Sequence, residues 1–232
     1  MKHNYDTIVI GGGHAGVEAA MIASKLGCRV GIISMDKKSI GRMSCNPAIG
    51  GVAKGQIVRE IDILGGLMGQ VADRSGLQFK VLNKSKGRSV WSPRAQIDKR
   101  KYEERISKIV LSGEGVSFIK GEVVSLIIKN NSIGGVVLRN GESISSKTVV
   151  VTCGTFLSGV IHIGDRKIQA GRMGESPSIG LTEFLISVGF KTIRLKTGTP
   201  PRALKSSINW DQTEEDYGDR EPTPFSLFTE SF

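Results

Sequence analysis

Cysteine, aromatic residues and long apolar runs are all scarce in this 232-residue sequence, and each scarcity closes off a class of protein. Cys28, Cys45 and Cys153 are an odd number of cysteines lying far apart, which excludes a disulfide framework. No apolar stretch is long enough to span a bilayer, and no membrane partner is expected. The chain enters its first β-type run within a few residues, without the pattern of a secretory leader, so the expected compartment is the cytoplasm. No metal site is expected. Acidic residues are in deficit, 22 against 32 Lys and Arg, for a formal charge of +10. Such a surplus favours a polyanionic partner, and without a polybasic amphipathic helix or a lipidation motif, nucleic acid suits it better than a membrane surface. A basic surface that only keeps the protein in solution is the alternative.

Glycine, by contrast, is abundant at 30 residues, as in loop-rich α/β nucleotide folds, and the length allows one sizeable core or one domain plus part of another. The glycines matter most at the start. Asp6-Thr7-Ile8-Val9-Ile10 reads as a strand, Gly11-Gly12-Gly13-His14-Ala15-Gly16 follows at the spacing G-x-G-x-x-G, and Val17 to Lys25 reads as a helix. In that context Gly11 permits the turn, Gly13 leaves the way clear for a pyrophosphate, and Gly16 lets helix and strand pack closely. Free N–H groups at the helix start would face the phosphates. Arg29 to Ser34 reads as the second parallel strand. Its end carries Ser34, with Asp36 two residues on, as candidates for a ribose hydroxyl. Neither is the acid at the strand end that many NAD folds use, and an FAD fold depends less on it.

Gly41 to Gly51 crowds Gly, Ser, Asn and Pro together and reads as a shaped loop, the kind of segment where chemistry sits. It contains Cys45, with Lys54 and Arg59 close by to favour a thiolate. A buried, inert thiol is the alternative. Cys28 and Cys153 read as packing. From Gln56 to Leu64, Ile57, Val58, Ile61 and Leu64 fall at helical spacing, with Arg59, Glu60 and Asp62 on a wet face and Gly65-Gly66 as a stop. Leu82 to Tyr102 carries seven Lys or Arg residues around Trp91, a pattern suited to phosphates and a stacked base, or simply to a solvated face. Lys54, Arg94 and Lys99 are the candidate RNA contacts. Tyr102, Ile106, Ile109 and Val110 then form a helical stripe ending at Gly113.

Val116 to Thr152 reads as a β-meander, with short strands at Ser117–Ile119, Glu122–Ile128, Ile133–Leu138 and Glu142–Ile144. Asn130-Asn131 and Asn140-Gly141 mark turns, and Gly134-Gly135 suggests a bulge. Thr148 to Thr152 reads as a separate strand buried on both faces. A meander returning to a parallel strand is typical of two-dinucleotide flavoproteins and favours FAD over NAD at the first loop.

The glycine loop, Met43-Ser44-Cys45-Asn46-Pro47-Ala48-Ile49-Gly50-Gly51, Trp91-Ser92-Pro93-Arg94-Ala95-Gln96, Gly154-Thr155-Phe156-Leu157, Ile161-His162-Ile163-Gly164 and Arg194 to Arg202 together resemble the MnmG (GidA) family of tRNA uridine 5-carboxymethylaminomethyl modification enzymes. The resemblance covers nearly the whole chain. It implies an FAD enzyme that works with the GTPase MnmE, as a homodimer, on the wobble uridine of certain tRNAs. It also implies methylenetetrahydrofolate as one-carbon donor, glycine or ammonium as nitrogen source and NADH as reductant. Carried over by position, Gly11, Gly12, Gly13, His14, Ala15 and Gly16 hold the FAD pyrophosphate, Val123 and Ser178 match further FAD-contacting positions, and Cys45 matches a cysteine needed for modification.

The expected fold is α/β, an FAD-binding Rossmann-like doubly wound sheet with a β-meander crossover, incomplete at its C-terminus. Residues 1–202 are expected to form the FAD-binding domain, and 203–232 the truncated start of an inserted domain. Chains of that family are considerably longer, so this one is expected to be inactive alone. A general NAD(P)H:FAD oxidoreductase without RNA, and a non-enzymatic RNA-binding remnant, stay open as other readings.

Overall fold

The computed structural model describes residues 4–44, 46–171, 174–196, 198 and 203–230. The chain opens with strand β1 (Tyr5–Ile10), helix α1 (His14–Lys25) and strand β2 (Val30–Ser34), the βαβ unit that its pattern predicts. Then come β3 (Ala48–Gly50), α2 (Lys54–Ile63), α3 (Met68–Ser75), β4 (Gly76–Leu82), β5 (Ser92–Ile97) and α4 (Lys99–Ser112). The remainder is β6 (Val116–Lys120), β7 (Val123–Lys129), β8 (Ser132–Leu138), β9 (Ser143–Val151), the hairpin β10 (Val160–Ile163) and β11 (Arg166–Gln169), and α5 (Leu181–Ser187).

The main sheet has the order β6-β2-β1-β9-β8-β7. Its first four strands are parallel, and β8 and β7 continue antiparallel. Strand side chains alternate between faces, so Val9 and Ile32 enter one core with α1 and α4, while Ile8, Ile10 and Ile33 enter a second with the meander and Leu181 of α5. The fold is the Rossmann-like α/β type with a meander crossover. Gly134 is the extra residue of a bulge opposite Ile127 and Ile128, and Gly135 beside it takes φ +139°. The α4 stripe buries Tyr102, Ile106 and Val110 as its spacing predicts. Among the described residues no helix is long and apolar enough to cross a membrane.

Several expectations are corrected. Val116–Lys120 is no part of the meander, because it pairs in parallel with β2 at the edge of the main sheet. The two strands expected at 142–144 and 148–152 are one. Ser143 to Ser145 pair with β8, and from Ser146 onward the same strand pairs with β1. Its end is not buried on both faces, since Val150 and Val151 are 37% and 42% exposed. Beyond Ser145, β1 is the only strand paired with it among the described residues. The 41–51 loop contains β3, and the basic run contains β5. These two strands and β4 form a second sheet, β3-β5-β4, with Arg94 at its centre paired to Gly50 and Lys80.

Asp62 is not on a wet face. It is fully buried, because residues 216–229 return across the second sheet as a strap. Asp62 Oδ2 accepts from Leu227 N (2.9 Å), and the Asp73 carboxylate of α3 accepts from Phe225 N (2.8 Å), Ser226 N (2.9 Å) and Thr229 Oγ1 (2.8 Å). Phe225, 2% exposed, joins the core on that side. Val58 and Gly55 are the other inward residues of α2, while Ile57 and Leu64 stay exposed.

Candidate dinucleotide-binding site

The β1–α1 turn gathers its glycines for different reasons. Gly11 sits at φ +104°, a conformation that disfavours a side chain, and a β-carbon there would collide with the Thr152 carbonyl at the end of β9. At Gly12 a β-carbon would lie 2.5 Å from Ile40 Cδ1. At Gly16 it would overlap the Gly11 carbonyl oxygen and lie 2.8 Å from Thr152 Oγ1, which itself donates to Ile10 O at 2.7 Å. Packing against backbone therefore accounts for Gly11 and Gly16, while at Gly12 the close atom is only the tip of the Ile40 side chain. Packing does not account for Gly13, whose φ of −72° suits any residue and whose β-carbon would meet nothing within 4 Å.

Gly13 is the N-cap of α1, with no side-chain cap and no acidic residue in the first turn. In an α-helix the first N–H groups, here those of His14, Ala15 and Gly16, have no acceptor within the helix. The result is a side-chain-free, electropositive crevice of the kind that binds a diphosphate. The residues present fit that group. The His14 side chain packs against Tyr102, with ring centroids 5.6 Å apart, so toward the crevice this residue offers its backbone. Burial pushes the imidazole pKa down, against the opposing pull of Glu103, and Nε2 is buried without a partner.

The other candidates converge on the same end of the parallel strands, where open α/β sheets take their ligands. Gly121 N donates to Ser34 O (3.0 Å), which brings the start of β7, and Val123, to the tip of β2; Val123 is buried beside Ile10 and Ile33. Ser178 joins the segment leaving β9 through Ser158 N to Ser178 O (2.7 Å) and Ser178 N to Phe156 O (3.1 Å). Glu122 links the two sites. It accepts from Arg139 Nη2 (2.7 Å) and Ile179 N (2.9 Å), and its carboxyl is held below its usual range by Arg139 first, with Ile179 and Ser178 adding to it against desolvation. Sequence reasoning missed Glu122, although opposite charges flanking a predicted hairpin were a usable signal. Ser34 and Asp36 both have local partners, Ser34 Oγ with Ser39 Oγ at 2.6 Å and Asp36 Oδ1 with Lys38 N at 2.9 Å.

Cys45 lies outside the described residues, as do Thr197, Thr199, Pro200, Pro201 and Arg202 of the last motif. Cys28 and Cys153 are partly buried in the cores, and burial pushes the Cys153 thiol up to about 11, which makes it unreactive at neutral pH. Lys54 and Arg94 come close together: Lys54 N donates to Gly51 O (3.1 Å), and a β-carbon on Gly51 would lie 3.9 Å from Arg94 Cδ. Lys99 stands past the far end of β5, paired with Glu103 at 3.8 Å.

A model of the family described as glucose inhibited division protein A matches residues 6–232. The tRNA uridine 5-carboxymethylaminomethyl modification enzyme MnmG of Sulfurihydrogenibium sp. is 50% identical over 228 residues, covering 97% of this chain and 37% of its own length. The enzyme of the same name from Aquifex aeolicus is 50% identical over 226 residues, with the same coverage. A crystal structure of Aquifex aeolicus GidA superposes with a TM-score of 0.93 at 50% identity, over 97% of this chain and 38% of that one. The GidA-related protein of Thermus thermophilus, at 18% identity and a TM-score of 0.56 over 82% of this chain and 70% of its own, shares the fold. The chain thus spans little more than a third of the length of the curated relatives it matches.

Proposed function

Since the chain belongs to the glucose inhibited division protein A family, we propose that its β1–α1 crevice binds the diphosphate of FAD and that it supplies the front of the flavin site of a tRNA-modifying enzyme. One observation carries the cofactor reading: Gly13, alone among the motif glycines, has open space where a side chain would stand, and it faces the open first turn of α1. The names of the relatives, tRNA uridine 5-carboxymethylaminomethyl modification enzymes, support a tRNA uridine-modifying activity; in this reading the group placed on C5 is carboxymethylaminomethyl or aminomethyl and the base is the wobble uridine. FAD, when bound, supplies the redox centre through which a one-carbon unit reaches the base. In this reading methylenetetrahydrofolate is the donor, NADH the reductant, and the enzyme works in the cytoplasm as a homodimer with the GTPase MnmE.

Each residue has a stated part. Gly11, Gly12, Gly13, His14, Ala15 and Gly16 form the cradle of the diphosphate: Gly11, whose own N–H donates to Ile33 O (2.8 Å), shapes the turn, the N–H groups of His14, Ala15 and Gly16 face the phosphates, and the main chain at Val123 serves the adenine side. Ser178 is held at the mouth by the Glu122 cluster. Cys45 is the nucleophile: addition of its thiolate to C6 of the pyrimidine makes C5 nucleophilic toward a one-carbon electrophile. Lys54, Arg94 and Lys99 contact RNA phosphates. Residues 1–202 form the FAD-binding unit, and a second unit starts at 203, its 216–229 strap docked back on the first with Phe225 in that unit's core. The test is calorimetric titration of the purified chain with FAD and with riboflavin. FAD should bind and riboflavin, which lacks the diphosphate, should not. Equal affinity for both would remove the diphosphate anchor.

A further inference from the structure

Away from the glycine crevice, the strap and the second sheet enclose a cleft of about 840 Å³, within the size range of small-ligand sites. Pro93 and Val81 form part of its lining, and its charged wall comes from three elements: Arg59 of α2, Lys84 and Arg88 of the β4–β5 connection, and Arg220 of the strap. Trp91 stands among them, 37% exposed. Its indole is held in place, since Nε1–H donates to Lys86 O (3.1 Å) and the Arg88 guanidinium carbon lies 5.6 Å from the ring centroid. The charges do not cancel. Lys84 is neutralised by Asp219 at 2.8 Å, and that carboxylate also accepts from Val81 N (2.9 Å). Arg59 is steadied by a bond to the neutral Pro224 carbonyl (3.3 Å). Arg59, Arg88 and Arg220 are then left facing one further carboxylate, Glu221.

A surplus of guanidinium groups calls for an anion, and a fixed indole at the same opening calls for a planar ring. An acidic peptide would satisfy the first and leave the second unused; a duplex keeps its bases stacked on each other and away from Trp91. Unpaired nucleotides satisfy both. We propose that this cleft binds an unpaired segment of RNA, one base stacked on Trp91 and the flanking phosphates on Arg59, Arg88 and Arg220. The proposal rests on the reading that the enzyme acts on tRNA, but it uses no residue of the flavin crevice. Because one wall is the strap, an occupant ties residues 219–223 to the sheet.

The sequence has two tryptophans, so Trp210→Phe leaves Trp91 as the sole indole reporter. In that background, a short oligouridylate should quench the fluorescence with a logarithmic salt slope of about −2, near 0.7 for each of three phosphates. Same-length duplex RNA and uridine 5′-monophosphate should need at least about tenfold higher concentrations, as stacking and phosphate contacts are lost. Measured by anisotropy of labelled RNA, Trp91→Ala should weaken binding about 5- to 150-fold, and Trp91→Tyr, which keeps an aromatic face, should restore most of it. The exposed pair Arg59→Gln and Arg220→Gln, which carries the test should Trp91→Ala fail to fold, should flatten the salt slope by about 1.4. Unchanged RNA affinity in folded Trp91→Ala, an unchanged slope in the arginine pair, or duplex or mononucleotide binding as well as the oligouridylate would overturn the proposal. FAD titration of the same preparations keeps the two sites apart: RNA binding without FAD binding sinks the flavin reading and upholds this one.

Discussion

Replacing Gly13 by Ala should separate stability from cofactor affinity, whereas replacing Gly16 by Ala should not. At Gly13 the backbone φ of −72° is ordinary for an L-residue and the new methyl would meet nothing within 4 Å. Two small effects then oppose each other in the free protein. The unfolded chain loses freedom, which stabilises by about 0.4–1 kcal/mol, and Ala is a poorer N-cap than Gly by a comparable amount. The melting temperature of the free chain should stay within about 4 °C of the parent. With FAD the methyl occupies the approach to the first-turn N–H groups. Forfeiting one hydrogen bond to a charged oxygen, worth about 1.5–3 kcal/mol, weakens FAD by about 10- to 150-fold. At Gly16 the added carbon overlaps the Gly11 carbonyl, so α1 must move off β1. Overpacking of this kind costs about 1–3 kcal/mol with or without ligand. Thermal melting monitored by circular dichroism, paired with FAD titration, reads both quantities. Parent-like FAD affinity in Gly13→Ala would refute the reasoning, as would undiminished stability in Gly16→Ala.

The strap gives a second prediction: Phe225→Ala should cost about 3–5 kcal/mol, and Asp73→Ala about as much, by leaving the Phe225 and Ser226 amides unpaired in the interior; denaturant midpoints measure both, and parent-like midpoints would mean that the strap is not docked. His14 should make the free chain acid-sensitive. Burial lowers its folded pKa below the ordinary histidine value of 6.5, so as pH falls the unfolded chain takes up this proton first. Stability is therefore full above about 6.5 and declines as pH drops from there toward the folded pKa; urea midpoints between about pH 7.5 and 5.5 should show the decline in the parent and lose much of it in His14→Gln. In the full-length enzyme, Cys45→Ser should abolish wobble-uridine modification and leave the protein yellow with FAD; modified tRNA from that variant would remove the thiolate from the mechanism.

How much of this was legible depended on whether the deciding contacts were local. The roles of Gly11 and Gly16 follow from a turn and a helix start, and the structure gives both the geometry that the spacing predicts. The α4 stripe and the bulge at Gly134-Gly135 were equally readable, because each depends on its own few residues. Val116–Lys120 was misassigned because a short alternating strand looks the same whether it starts a meander or pairs with β2, and only its position in space decides. β5 was hidden by composition: it lies within the basic run 82–102, which reads as a phosphate-binding or solvated stretch, yet the alternate residues Ala95 and Ile97 are buried. Asp62 reads as a solvent-facing helix residue and Asp73 carries no signal of its own, yet both are interior because backbone amides more than 150 positions later come to them. No helical periodicity records that.

A crystal structure of the chain grown with FAD decides the matter. The diphosphate should lie over Gly13, within hydrogen-bonding distance of the backbone nitrogens that begin α1, with the adenine side toward Val123. A structure in which the flavin nucleotide sits elsewhere, or in which a side chain fills the space above Gly13, would contradict the proposed site.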